Sequence, residues 1–166
     1  MSFFYVQLIG MVKYRRLSDE ELKELEQEFK QFLIANGVHN EEWISINEKQ
    51  PEEAINLVDL FSDLVLEKSL EQIKYLIHST QGDLKMFWFQ KDEARLVALK
   101  SNTESINFTS SNWLSEIPEH YAQIEFFTSE KKFSESDRSK ELYTLIKAGA
   151  QVSTEQMFKI VHQLVN

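Results

Sequence analysis

Asp59, Asp63, Glu67 and Glu71 recur at every fourth residue of the stretch DLFSDLVLEKSLEQIKYLIHS (59–79), and His78 stands near its end. Carboxylates four apart on a helix lie about 6 Å apart along the axis and nearly in line. Two so placed can share a hard cation such as Mg²⁺, with a phosphate substrate completing the shell. Asp59, Asp63, Glu67 and His78 are therefore the metal-ligand candidates. The chemistry they would serve is that of a small metal-dependent hydrolase or phosphate-handling enzyme. The plainer reading is that 59, 63 and 67 lie opposite the apolar stripe of Leu57, Phe61, Leu64 and Val65 and simply face water. Like charges at this spacing cost about 0.2–0.5 kcal/mol per pair, too little to decide between the two.

His78 is separated from the ladder by a change of period near Ile73. The run IKYLIHS (73–79) alternates like a strand, which takes His78 off the helix face. A hydrogen-bonded structural role suits it better than ligation. His39, His120 and His162 are isolated in sequence, and His39 follows a helix end where carbonyls are free to meet it.

The second cluster is KYRR, Lys13, Tyr14, Arg15 and Arg16. With an aromatic residue among the cations it could touch phosphate or an acidic partner. Pairing with the following DEE, or with other surface acids, is the simpler reading. A formal net charge of −9 opposes general attraction to nucleic acid or anionic lipid. Trp43, Trp88 and Trp113 are core candidates, and an exposed one would be an interface anchor.

Much ordinary chemistry is missing. There is no cysteine, which excludes disulfides, thiol nucleophiles and thiolate-bound metals. The glycines are Gly10, Gly37, Gly82 and Gly149, and no G-x-G-x-x-G or G-x-x-x-x-G-K-[ST] cradle exists. No G-x-S-x-G or H-E-x-x-H occurs either. No cofactor is implied, and the balance leans away from an enzyme.

The elements that must position these residues begin with LSDEELKELEQEFKQFLIANG (17–37). Ser18 and Glu21 have capping-box spacing, with Leu17 and Leu22 as a hydrophobic staple. Leu22, Leu25, Phe29, Phe32 and Leu33 form one stripe, and Gly37 stands where a helix C′ residue belongs. This predicts a helix over 18–36. NEEWISINEKQ (40–50) predicts a short helix capped by Asn40, and Pro51 opens the next, which carries the ladder. Three short runs follow, IKYLIHS, LKMFWFQ and ARLVALK, joined by the turn-like TQGD and KDE. Loops this short predict an antiparallel meander, apolar enough on both faces to need cover, with helices on one side. SINF (105–108) suggests a fourth strand and QIEFFTS (123–129) a fifth. SESDRSKELYTLIKAGA (134–150) and VSTEQMFKIVHQLV (152–165) predict a closing helix pair. The second of these has Ser153 and Gln156 as a capping box and Val152 and Met157 as a staple. The fold class is α+β: N-terminal helices, a central antiparallel meander of three to five strands, and a C-terminal helix pair.

The length of 166 residues with 20 aromatics suits a single globular domain over 1–166. No run reaches the roughly 20 apolar residues of a membrane span. The opening MSFFYVQLIGMV lacks the charge and cleavage pattern of a signal peptide, so the expected location is the cytoplasm. Residues 1–10 read as an N-terminal extension before a start at Met11. If ordered, FFYVQLI would be a buried strand or a sticky edge.

KYRRLSDEEL (13–22), LVDLFSDLVLEKSLEQIKYLIH (57–78) and RSKELYTLIKAGA (138–150) carry a resemblance. Over most of 11–150 the chain resembles a family of short acidic bacterial proteins known as a domain of unknown function. The resemblance implies a cytoplasmic bacterial protein that begins near Met11. It assigns no reaction and no residue roles. The expectation is a non-enzymatic interaction or regulatory module whose partner is another protein.

Overall fold

The computed structural model describes residues 12–165. The strand reading of FFYVQLI and the extension reading of residues 1–10 lie outside them. The chain divides into two compact units, one ending at Ser69 and one running from Leu70.

The first unit is helical: α1 (Asp19–Glu24), α2 (Glu26–Ala35), α3 (Asn40–Lys49) and α4 (Pro51–Glu71), which runs on past its end. The Ser18 hydroxyl accepts from Glu21 N–H at 3.2 Å, and the Glu21 carboxylate accepts from Ser18 N–H at 2.8 Å. The capping box therefore forms as its spacing predicts. The single helix expected over 18–36 is interrupted at Leu25, whose φ and ψ are −100° and 24°. Its hydrogen bonding still carries through, since Leu25 N–H reaches the Glu21 carbonyl at 3.0 Å and Phe29 N–H the Leu25 carbonyl at 2.9 Å. At the end of α2, Gly37 at φ +77° closes a Schellman motif, with Val38 N–H donating to the Leu33 carbonyl at 2.8 Å. The cap of α3 is His39 rather than Asn40, because the backbone is still extended at 39. α4 begins at Pro51, where the missing N–H would have had no helical partner anyway. Phe29, Phe32, Trp43 and Phe61 interlock with ring centres 5.0–6.3 Å apart. Leu17, Leu33, Ala54 and Leu57 are the other buried apolar residues described in this unit.

The second unit is a five-stranded antiparallel sheet in the order β4-β3-β2-β1-β5. Its strands are β1 (Tyr75–Ser79), β2 (Asp83–Phe89), β3 (Glu93–Ser101), β4 (Ile124–Lys132) and β5 (Gln151–Val152). The three-strand meander and the strand anticipated in 123–129 are present. SINF is not a strand. It lies in an irregular segment whose alternation arises because Ile106 and Phe108 plug into the core, each 2% exposed. A helix that the sequence reading missed, α5 (Trp113–His120), follows.

Helices cover both sides of the sheet rather than one. Leu84, Met86, Val97 and Leu99 pack with Ile106, Phe108, Trp113, Ile117 and with Phe158 and Val161 of α7 (Glu155–Val165). On the other side lies α6 (Glu135–Lys147), whose Arg138 stands over Phe89 and whose Glu141 pairs with Lys131. The second capping box shifts by one residue. Thr154, not Ser153, caps α7, accepting from Met157 N–H at 3.2 Å. Ser153 N–H is already committed to the Tyr75 carbonyl at 2.9 Å, and Val152, read as half of a staple, is 64% exposed. Among the described residues no helix is long and apolar enough to cross a membrane.

Candidate functional site

The two charged clusters of the sequence meet. The segment before α1 lies along α4, and three carboxylates of the ladder, Asp59, Asp63 and Glu67, accept from it. Asp59 takes Arg16 through Nε at 2.5 Å and Nη2 at 3.0 Å. Asp63 takes the backbone N–H groups of Lys13 at 2.9 Å and Tyr14 at 3.2 Å. Glu67 takes Lys13 Nζ at 2.8 Å and the Tyr14 hydroxyl. Between them the Ser62 hydroxyl, fully buried, accepts from Leu17 N–H at 3.0 Å and donates to the Val58 carbonyl at 2.7 Å. The expectation that this face simply meets water is corrected: Asp59, Asp63 and Glu67 are half-buried, because residues 13–17 cover them.

The electrostatics follow from the pairing. Burial acts to lower the Lys13 pKa, but hydrogen bonds to Glu67 and Tyr14 outweigh it and the net shift is upward. Burial, then the hydrogen bond to Glu67, raises Tyr14. Arg16 is raised by its bond to Asp59. Arg15 turns away to Glu21, bonded at 2.9 and 2.8 Å. Glu21 is held down to about 2, first by Arg15 and then by Ser18 N–H.

Glu71 and His78 leave the ladder. Glu71 is exposed on the last turn of α4. His78 lies in β1, and its Nε2–H donates to the Ala148 carbonyl at the end of α6, at 3.1 Å. Gly149, at φ +108°, makes the Schellman turn there, and a Cβ on it would stand 3.5 Å from His78 Nε2. Among the described residues no three His, Asp or Glu side chains are placed to hold a metal ion.

Arg138 has a role that nothing in its local sequence signals. Its guanidinium donates to four carbonyls, Gln90 at 2.8 Å, Leu70 at 3.3 Å, Ile73 at 2.6 Å and Phe89 at 3.4 Å. It thus ties the start of the second unit and the β2–β3 turn to α6. Burial lowers its pKa, and the charge of Glu71 works against that shift.

A groove large enough to take a ligand lies elsewhere, between α7 and the sheet. The registers put Tyr75 opposite Trp88, Trp88 opposite Arg95 and Arg95 opposite Glu130. One row of directly paired residues thus crosses four strands on one face. The Tyr75 and Trp88 rings stack at 6.2 Å and 13°. The Arg95 guanidinium lies 5.6 Å from the Trp88 ring centre, a cation–π contact. Phe158 of α7 closes against Tyr75 and Trp88 at 5.8 and 5.7 Å, and His162 stacks on Phe158 at 5.9 Å. Over this floor opens a groove of about 810 Å³, bounded further by Thr128 of β4 and by Glu155, Lys159 and Gln163 of α7.

The groove's charges are paired with one another. Arg95 meets Glu130 at 3.3 Å and Glu93 at 3.5 Å, and Lys159 meets Glu155 at 2.7 Å. The pairing lowers Glu155 and raises Lys159. Burial first, and Glu155 next, raises Tyr75. Each shift moves its group further from neutral pH, the reverse of what a general acid or base needs. The sequence held a signal for this site. With KDE as a turn, Trp88 and Arg95 become cross-strand partners, and α7 brings one more aromatic stripe over them.

No curated protein and no solved structure matches the chain. A family model does match, over residues 11–166, which takes the similarity through α7 to the end of the chain. The chain therefore belongs to a family of unknown function, DUF6495.

Proposed function

We propose that the protein is a non-enzymatic binding module whose groove takes an apolar or aromatic side chain from a partner protein. The observation that carries this is the Tyr75–Trp88–Arg95–Glu130 row, walled by Phe158, beneath an open volume of about 810 Å³. Tyrosine, tryptophan and arginine are the residues on which interfaces concentrate their energy. A concave apolar floor with a few convergent polar groups is the usual form of a binding site. The paired charges around it form a polar rim, as interfaces commonly have.

A metal-dependent hydrolase using Asp59, Asp63 and Glu67 has no comparable support. Those carboxylates already accept from Lys13, Tyr14 and Arg16. The setting that goes with the reading is a bacterial cytoplasm. It rests on the resemblance carried by KYRRLSDEEL.

Selection of a displayed random-peptide library on the full chain tests the proposal. Enriched peptides should share one aromatic or large aliphatic position, and Trp88→Ala should weaken them by about tenfold or more. Peptides without such an anchor, or with affinity unchanged by W88A, would refute it.

A further inference from the structure

β4 is the outer strand of the sheet, nine residues long. Among the described residues it pairs with β3 alone. Its register against β3 is unbroken from Ile124 to Lys132, and it contains no proline. It therefore lacks two devices that commonly blunt an edge.

The outward hydrogen-bonding groups of β4 can be assigned. Just beyond the two ends of the ladder, Asn102 N–H donates to the Gln123 carbonyl at 3.0 Å and Phe133 N–H to the Asp92 carbonyl at 3.0 Å. Antiparallel pairs alternate between bonded and non-bonded. Odd-numbered residues of β4 therefore turn their backbone groups toward β3. Residues 124, 126, 128, 130 and 132 turn theirs outward.

The sequence IEFFTSEKK also complements itself when reversed. With a two-fold axis through Thr128, Ile124 opposes Lys132, Phe126 opposes Glu130 and Phe127 opposes Ser129. Glu125 of each copy then opposes Lys131 of the other, on both sides of the axis. The outward backbone groups become the bonded pairs in this register. Both members of the charge pair are exposed. Glu125 now accepts only from Asn102 Nδ2 at 3.0 Å among the bonds assigned to it, and Lys131 pairs with Glu141. Phe127, 47% exposed, would lie beside the axis.

From this edge we infer that two copies of the chain associate through β4, antiparallel and centred on Thr128, so that the two sheets run on into one another. Such an interface is isologous and self-limiting, because each copy uses the one long edge found among the described residues. β5, at the opposite edge, has two residues and offers no equivalent. The inference rests on the outward backbone groups of β4 and does not depend on what the groove binds, although Thr128 and Glu130 also border that groove.

Sedimentation analysis of the full chain tests it with three variants. Thr128→Pro removes an outward N–H and leaves the β3 ladder intact. Glu125→Lys places like charges opposite each other twice. Glu125→Lys with Lys131→Glu restores attraction with the signs exchanged. The wild type should be a dimer at a concentration on the order of 100 µM. T128P should be a folded monomer by circular dichroism, E125K should weaken the dimer by about tenfold or more, and the double variant should recover it. A monomeric wild type, a dimer that survives T128P, or a charge exchange that fails to restore association would overturn the inference.

Discussion

The Asp63 carboxylate accepts the backbone N–H of Tyr14 at 3.2 Å, and with its other oxygen the N–H of Lys13 at 2.9 Å. An acid in the middle of the ladder thus holds main chain, where side-chain pairs alone would have left residues 13–17 loosely attached. Exposed ion pairs contribute about 0–1 kcal/mol each and fade with salt. Bonds from backbone N–H to a carboxylate on a half-buried face are stronger and less screened.

Asp63→Ala should accordingly destabilise the first unit by about 1–3 kcal/mol. Arg16→Ala should cost under about 1 kcal/mol, and that cost should disappear at high salt. Urea unfolding at low and high salt separates the two. Equal, salt-sensitive losses would mean that the ladder works through charge alone.

Glu21 gives a dependence on pH. Its carboxyl is held down to about 2 in the folded chain, against 4.5 ordinarily. The sign is that of a depressed acid: the contribution is fully present above about 4.5 and is lost as pH falls toward 2. Glu21→Gln should lower stability near neutral pH and lose less than the wild type between pH 5 and 3. Urea midpoints at pH 6 and pH 3 measure this, and parallel losses in the two proteins would contradict it.

Arg138 is a third point. Removing it takes a donor from four carbonyls, among them Ile73 at 2.6 Å and Gln90 at 2.8 Å, while the Leu70 carbonyl keeps the Ile73 N–H at 3.1 Å. Arg138→Ala should cost about 2–4 kcal/mol. Arg138→Lys should recover little, because one ammonium cannot reproduce a planar fork that reaches several acceptors. Thermal unfolding reads the order, and a lysine variant as stable as wild type would count against the geometry.

The α+β class and the three-strand meander were legible because local signals agreed there. Ser18 and Glu21 fixed one helix start, Pro51 another, and TQGD and KDE fixed the turns. What escaped depends on residues distant in sequence. Nothing near Asp63 says that Lys13 and Tyr14 will cover it, since that contact spans some fifty positions. SINF alternates as a strand does, yet its two apolar residues serve a loop held by Phe108 N–H on the Gln81 carbonyl at 3.3 Å. The cap of α7 moved to Thr154 because β1 claimed Ser153 first. The groove was half legible. Strand pairing places Trp88 against Arg95, but only the packing of α7 adds Phe158 and a volume to fill.

That groove is the centre of the account, and one measurement bears on it most directly. A photo-activatable side chain placed at Gln163, on the groove's rim, should cross-link to one discrete partner in an extract of the protein's own cells. The adduct should be lost in Trp88→Ala, with the fold confirmed by circular dichroism, and largely retained in Trp88→Phe. An adduct of equal yield in W88A, or none at Gln163 while an equivalent probe at Ser115 of α5 captures the partner, would contradict it.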